Sequence, residues 1–277
     1  MTVLVIGASS QVGRFLLPRL DALECDWIGL SRQAPADDPR WLRGHLPDAM
    51  PTLPPVTAIL SSGPLDGLAY WLTGTRLEGT PHIIATSSMS AETKRDSDVP
   101  TERELSLRLR DAETKLIATC ASRGMPWTLF RPTLVYGAGM DKSISPIVHA
   151  AQRRRVFPLP AARGQRQPVH ADDIAAAFVA ALVTARARGK TFPIGGGERL
   201  SAAEMFRRAR RSAGVFTLPV PLPRAALALA GLAYPGLIGP LRRLDSDLIA
   251  DNSELEAILG IHPRPFRPDP ATWAVRV

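Results

Sequence analysis

The sequence predicts an α/β fold built on a doubly wound parallel sheet, and two observations carry that prediction. An apolar run, Val3-Leu4-Val5-Ile6, breaks at the small-residue turn Gly7-Ala8-Ser9-Ser10-Gln11-Val12-Gly13, and strand-like and helix-like stretches then alternate through residue 136. A strand covered on both faces reads as a short continuous apolar run, and strands alternating with helices build a parallel sheet. The turn leads into a helical period of Val12, Phe15, Leu16 and Leu20. Strand, tight turn and helix open a dinucleotide-binding unit. Small residues let the backbone approach a pyrophosphate, and the free N–H groups of the helix start face that anion. Gly7 supplies the turn and Gly13 lets the helix pack close to the strand. Ser10 stands where a third glycine is commonest, and its hydroxyl can donate to a phosphate oxygen; Ser9, Gln11 and Val12 complete the loop.

Asp26-Trp27-Ile28-Gly29-Leu30 is a second short strand, closing on Ser31-Arg32. In a dinucleotide fold this strand end lies beside the adenosine ribose, where an acidic residue reads the 2'-hydroxyl of NAD. A serine and an arginine suit the dianionic 2'-phosphate of NADP instead, because guanidinium offers a charge-matched fork of donors. NADP is therefore the expected cofactor and NAD the alternative. The segment 41–48 precedes a β-branched strand from Val56 that ends in Ser61, Ser62 and Gly63, and such small residues leave room for a ligand at the open edge of a parallel sheet. Asp66 to Leu72 reads as a helix, and Pro81 to Ser88 as a strand ending in hydroxyls.

Residues 100–123 read as one amphipathic helix with Leu105, Leu109, Ala112, Leu116 and Cys120 on its apolar face. Gly124-Met125-Pro126 ends it, and Trp127 to Pro132 begins the next strand. From Gly137 the texture turns to more proline and arginine and less alternation. An alanine-rich helix follows Asp173, Lys190 to Gly197 reads as a last strand, and Ser201 caps a further helix with Glu204 completing a capping box. The proline-rich tail from Thr217 carries two helical stretches. The expected organisation is a nucleotide-binding core at 1–136 and 168–196, with a small substrate-covering lobe at 137–167 and 197–277.

The 277 residues, 45% of them apolar, suffice for one large core or for a domain with an appended lobe. Net charge is +8, but only four of the 34 basic residues are lysine, and the densest run, Arg153-Arg154-Arg155, is short and lacks interleaved aromatics. That argues against nucleic acid as a partner; an anionic small ligand accounts for the charge equally well. Cys25 and Cys120 belong to no ligand cluster, so neither a metal site nor a disulfide framework is expected. The start Met-Thr-Val-Leu-Val leaves no room for a basic leader, which makes a cytoplasmic location the expectation. Ala225 to Leu241 is uncharged and apolar but broken by Pro235-Gly236 and Gly239-Pro240. A spanning helix needs about 20 residues, so a buried helix and loop is expected there rather than a membrane span.

Taken together, these landmarks resemble the extended short-chain dehydrogenase/reductases, the group of NAD-dependent epimerases and dehydratases, and within it the atypical members related to the complex I accessory-subunit and NmrA-like branches. The stretch from Gly7 to Gly13 is similar to the family's GxxGxxG loop, with Ser10 for the middle glycine. Gly44-His45-Leu46-Pro47-Asp48 resembles the GDLxD segment near adenine, which implies Leu46 as a cofactor contact. Ser87-Ser88 falls on the strand that carries the catalytic Ser/Thr, which implies a substrate contact at Ser88. Arg131-Pro132-Thr133-Leu134-Val135-Tyr136-Gly137 is similar to the RPxxVYG segment beside nicotinamide, implying cofactor contacts at Pro132 and Leu134. Val169 to Ala175 resembles the HVxDxA stretch, which implies that His170, Asp172 and Asp173 link sheet and lobe. The resemblance implies a Rossmann-type sheet, an NAD(P) cofactor and a small-molecule substrate.

The resemblance also implies a Tyr-Lys proton relay four residues apart, and here the chain departs from it. Counting back from Arg131 to Glu113 puts the lysine on Leu109 and the tyrosine on Leu105, neither of which titrates. Asp111 and Lys115 share the spacing, but an aspartate is ionised at neutral pH and donates poorly. Two functions follow as expectations. One is an oxidoreductase or epimerase/dehydratase-like enzyme working without that pair; the other is a catalytically silent NADP(H)-binding sensor or assembly protein. The 100–123 helix is apolar enough to share a homodimer interface.

Overall fold

The computed structural model describes residues 1–35, 37–226 and 244–275. Contacts divide the chain into two units, one of Met1–Pro132, Ala171–Ile194 and Asp251–His262, the other of Thr133–His170, Gly195–Ala250 and Pro263–Val277.

The first unit starts with β1 (Thr2–Ile6), α1 (Gly13–Ala22), β2 (Asp26–Ser31), β3 (Trp41–Arg43), β4 (Ala58–Ser61), α2 (Leu65–Gly74) and β5 (His82–Thr86). It continues with α3 (Ser90–Thr93), α4 (Pro100–Ser122) and β6 (Trp127–Pro132). After the second unit's β7 (Val135–Tyr136), α5 (Ser145–Arg154), β8 (Val156–Pro160), β9 (Gln165–Arg166) and β10 (Val169–His170), the first unit resumes with α6 (Ala171–Val183) and β11 (Lys190–Ile194). Seven parallel strands run in the order β11-β6-β5-β4-β1-β2-β3. The order reverses between β1 and β4, which opens a crevice at their C-terminal ends. Right-handed crossovers run in opposite directions from that point and so place helices on both faces; α1 packs with α6, and α2 with α4. This is a Rossmann-like α/β sheet, as the sequence pattern predicts.

The apolar strands β1, β4 and β5 are buried almost throughout, and Leu68, Leu72, Leu116 and Cys120 from α2 and α4 close one face of the core. The N-terminal half of α4 differs from the expectation. Its buried positions are Ser106, Ala112, Glu113, Leu116, Thr119 and Cys120, while Leu105 and Leu109 are only half-buried. Ser106 is drawn in because its hydroxyl donates to Ala91 O at 2.7 Å, so a polar residue takes the inward position that the leucines were expected to fill. Asp251–His262, assigned to the lobe by its sequence texture, packs in the first unit. Its helix Ser253–Leu259 contacts α6 and β11, and Glu254 pairs with Lys190 Nζ at 2.5 Å.

The second unit adds β12 (Leu200–Ser201), α7 (Ala202–Arg211) and β13 (Leu218–Leu222). Its core gathers Tyr136, Ile144, Val148, Phe157, Phe206, Phe266 and Trp273. Asp141 takes hydrogen bonds from Ile144 N at 2.6 Å and from the Ser145 hydroxyl, which anchors the start of α5. Ser201 caps α7 by accepting from Glu204 N at 3.2 Å, whereas the Glu204 carboxylate, expected to complete a capping box, binds Arg208 Nε at 3.1 Å and Arg207 Nε at 3.0 Å. The apolar stretch 225–241 lies almost wholly outside the described residues, and among the described ones no helix is long and apolar enough to cross a membrane.

Both cysteines are buried and free. Burial pushes the Cys120 thiol up to about 11, and burial also raises Cys25. His82, at the start of β5, is 5% exposed. Thr128 Oγ1 donates to Ala187 O at 2.9 Å, so His82 Nε2 must be the donor in its own 2.9 Å bond to that hydroxyl. Burial, reinforced by the charge of Arg188, lowers the His82 pKa from 6.5 to about 4.

Two expectations follow. Truncating Leu116 to Ala should cost about 2 to 5 kcal/mol, while Leu105→Ala and Leu109→Ala should each cost about 1 kcal/mol, as read from urea midpoints. Above pH 6.5 His82 is neutral in both states; as pH falls from 6.5 to about 4 the unfolded chain takes up a proton that the folded chain refuses. Stability should therefore decline by roughly 3 kcal/mol across that window, and a His82→Gln variant should lack that part of the slope.

Candidate cofactor-binding site

The loop after β1 is shaped by two glycines. Gly7 adopts φ +80°, a left-handed conformation that side chains disfavour, and a Cβ there would stand 2.9 Å from Ser62 Oγ. A Cβ on Gly13 would stand 2.3 Å from Ala8 O and 2.4 Å from Gly7 O, closer than any real contact. Helix α1 therefore starts directly against the loop, with buried Val12 preceding it and half-buried Gln11 before that.

A set of serine hydroxyls ties this loop to the neighbouring strand ends. Ser9 Oγ lies 2.8 Å from Ser31 Oγ at the end of β2, and Ser10 Oγ lies 2.7 Å from Ser62 Oγ just beyond β4. Ser10 Oγ also accepts from Gly13 N at 3.1 Å, and Ser10 N donates to Gly7 O at 2.8 Å. The Ser10 hydroxyl thus serves first as a local cap on the helix start. Ser61 is 1% exposed and its hydroxyl has no partner among the described residues. Gly63 meets nothing closer than Ile6 Cγ2 at 3.5 Å, so its lack of a side chain is not sterically enforced within the protein. Leu46 is 9% exposed and packs against Gly67, whose added Cβ would stand 3.1 Å from Leu46 Cβ.

At the ribose-side edge, Ser31 is 6% exposed and its hydroxyl is engaged by Ser9 and by Gln33 N at 3.1 Å. Arg32 is exposed, and the β2–β3 register sets exposed Arg43 opposite Ser31. Arg43 was missed in the sequence because β3 has only three residues, too few for a periodic signal. Arg32 and Arg43 are thus both exposed beside Ser31 at this strand end.

At the end of β5, Ser87 N donates to Phe130 O at 2.7 Å, and the Ser87 hydroxyl is buried without a partner among the described residues. Ser88 Oγ accepts from Ser90 N at 3.1 Å, opening α3, and keeps its own proton to donate. Pro132 is buried at the end of β6 with its carbonyl bound to Met89 N at 2.9 Å, while Leu134 falls in the second unit and packs on that unit's core.

Arg131 binds Glu113 through Nε at 2.9 Å and Nη2 at 2.5 Å, and binds Glu92 through Nη1 at 2.8 Å. Hydrogen bonding to Glu113 is the main reason its guanidinium is held still more firmly protonated than usual. The clamp joins α3, α4 and β6, and it sets Leu109 and Leu105 one and two helical turns before Glu113. Asp111 and Lys115 lie on the exposed side of α4. Asp172 pairs with Arg19 at 2.7 Å, joining α6 to α1 within the first unit. In the second unit Tyr136 packs edge-on against His170 and Phe266, with centroids 5.0 and 4.8 Å apart.

The cradle formed by Gly7, with its left-handed backbone, and Gly13, where a Cβ would collide with backbone, fits a dinucleotide pyrophosphate. Gly7→Val and Gly13→Val should abolish cofactor binding in chains that retain their far-ultraviolet circular dichroism. Ser10→Gly removes the hydroxyl that caps Gly13 N and so leaves that donor free, and it should change affinity by no more than about tenfold. Calorimetric titration with NADPH checks all three.

Residues 88–195 match the NAD dependent epimerase/dehydratase family. A UDP-glucose 4-epimerase from Vibrio cholerae is 26% identical over 171 residues, or 61% of this chain, and the match spans about half of that relative, 51% of its length. Among solved structures, UDP-glucuronic acid 4-epimerase from Bacillus cereus, in complex with UDP-glucuronic acid and NAD, superposes with a TM-score of 0.68 at 15% identity, covering 95% of this chain and 94% of that one. MoeE5 in complex with UDP-glucose and NAD superposes with a TM-score of 0.71 at 18% identity, covering 99% of this chain and 97% of that one. The solved structures share the Rossmann-like fold with this chain, and the sequence likeness to the NAD dependent epimerase/dehydratase family spans residues 88–195.

Proposed function

We propose that this chain binds a nicotinamide dinucleotide in the crevice between β1 and β4, NADP(H) ahead of NAD(H), and acts as an epimerase/dehydratase-like enzyme on a small molecule without the usual Tyr-Lys pair. The observation that carries the reading is the Gly7–Gly13 loop, a turn with no room for side chains at the point where the strand order reverses. On this reading Gly7 to Gly13 hold the pyrophosphate, Leu46 and Gly63 flank the adenosine side, and Arg32 with Arg43 take the 2'-phosphate. Bound there, the nicotinamide supplies a hydride donor or acceptor. Ser88, with its proton free to donate, orients a substrate oxygen, and Ser87 keeps a second hydroxyl at the same strand end. Substrate selection falls to residues 137–167 and 197–250.

The half-buried Leu105 and Leu109 favour the second reading, a silent NADP(H) sensor or scaffold, since a wall of leucine moves no proton. The two readings separate on turnover. UDP-glucose and UDP-glucuronic acid, named with the structural neighbours, are the first substrates to try. Interconversion of either, or a change in bound-cofactor absorbance on adding it, supports the enzyme. Tight NADPH binding with no change across a panel of nucleotide sugars supports the sensor.

Cofactor preference is checked by titrating NADPH and NADH separately. NADPH should bind more tightly, and Arg32→Ala and Arg43→Ala should each weaken NADPH by about 1.5 to 3 kcal/mol while leaving NADH nearly unchanged. Equal affinities for the two cofactors would remove the 2'-phosphate assignment.

A further inference from the structure

The second unit carries a surface that the cofactor reading does not use. Strands β8 and β13 pair in parallel with Leu218 opposite Val156, and these two residues are 56% and 42% exposed. Phe216, two residues before Leu218 and on the same side of an extended chain, is 78% exposed, while Thr217 between them is 2% exposed. This exposure does not come from a fraying end. Arg210 donates from Nε and Nη2 to Thr217 O at 3.1 and 2.7 Å, and Leu218 N donates to Arg155 O at 2.7 Å. Arg153, Arg154 and Arg155 immediately precede Val156, and all three are exposed. Arg155 turns the chain from α5 into β8 in a left-handed conformation, φ 59°.

The stretches of sequence that carry this patch are rich in basic residues and free of carboxylates. Between Asp141 and Asp172 the sequence holds six basic residues and no carboxylate, and between Glu204 and Asp245 it holds seven and none. Strand β8 lies in the first of these runs and β13 in the second. Thirteen positive charges set against a net of +8 leave the rest of the chain net negative.

The occupant must answer both to bare apolar side chains and to positive charge. Pro158, Pro160, Pro219 and Pro221 alternate along the two strands and lack the N–H that strand addition needs, which disfavours a protein partner joining the sheet. A nucleic acid would meet the arginines but would gain little from Phe216, Leu218 and Val156. A bilayer with anionic headgroups meets both, because apolar side chains enter the acyl boundary while guanidinium groups stay among phosphates. We propose that the β8–β13 surface, with Phe216, Leu218, Val156 and Arg153 to Arg155, docks the protein peripherally on anionic phospholipid bilayers.

Co-sedimentation of the full chain tests this with vesicles of phosphatidylcholine alone and of phosphatidylcholine mixed with phosphatidylglycerol. Binding should occur on the mixed vesicles only and weaken as salt is added. Replacing Arg153, Arg154 and Arg155 together by Gln should lower partitioning on the order of a hundredfold. The pair Phe216→Ser and Leu218→Ser should lower it at least about tenfold. Both variants change exposed positions, and unchanged near-ultraviolet circular dichroism and NADPH affinity would establish that they fold. Three results would overturn the proposal. One is no sedimentation with either vesicle, or equal sedimentation with both. Another is duplex DNA displacing the vesicles and binding regardless of the Phe216 and Leu218 changes. The third is self-association of the lipid-free chain that the same changes abolish, which would make a second copy the occupant.

Discussion

The edge of the sheet at β1 depends on one close approach, that of the first turn of α1 to the backbone of the loop before it. With 2.3 Å between a hypothetical Gly13 Cβ and the carbonyl of Ala8, only glycine permits the contact. That contact lets Gly13 N reach the Ser10 hydroxyl, and through Ser10 and Ser9 the loop is fastened to Ser62 and Ser31 on either side. Gly7 N and Ala8 N meanwhile share Leu30 O at 3.3 and 3.4 Å, so the end of β1 is locked to β2 as well. Backbone sterics at one residue thus align three strand ends and a helix terminus. A phosphate cradle needs that alignment, since its donors are main-chain groups that no rotamer change can re-aim.

A second constraint organises the other half of the sheet edge. Arg131 is more than a strand residue near a site; it is the bolt between α3, α4 and β6, held by two carboxylates at once. Because Glu113 is 5% exposed, losing either partner would leave a poorly solvated charge, so the pair fixes the rotation of α4 about its axis. That rotation is what carries Ser106 inward and leaves Leu105 and Leu109 half in solvent. Neither leucine side chain carries a titratable proton.

The strands and the glycine loop were legible because each has a local signature, a continuous apolar run or a backbone that admits no side chain. What could not be read were properties set by tertiary registration. Arg43 comes opposite Ser31 only because a three-residue strand pairs with β2. The Ser31 hydroxyl is hydrogen-bonded to that of Ser9, twenty-two residues away. Ser87 and Ser88 are adjacent and chemically identical, and only the turn into α3 decides which of them accepts a backbone N–H. The face of α4 was misjudged because a hydroxyl bonded to Ala91 O can be buried at less cost than hydropathy suggests.

The two cysteines give the molecule a chemical clock. Cys120 sits on the face of α4 packed into the core and Cys25 at the head of β2, and at neutral pH burial keeps both as thiols, the form that does not attack disulfides or alkylating reagents. A reagent meets a reactive thiolate only when the local structure opens. The rate at which Cys120 is alkylated therefore counts how often α4 lifts from the sheet, and comparing it with the rate at Cys25 separates that local event from unfolding of the whole unit.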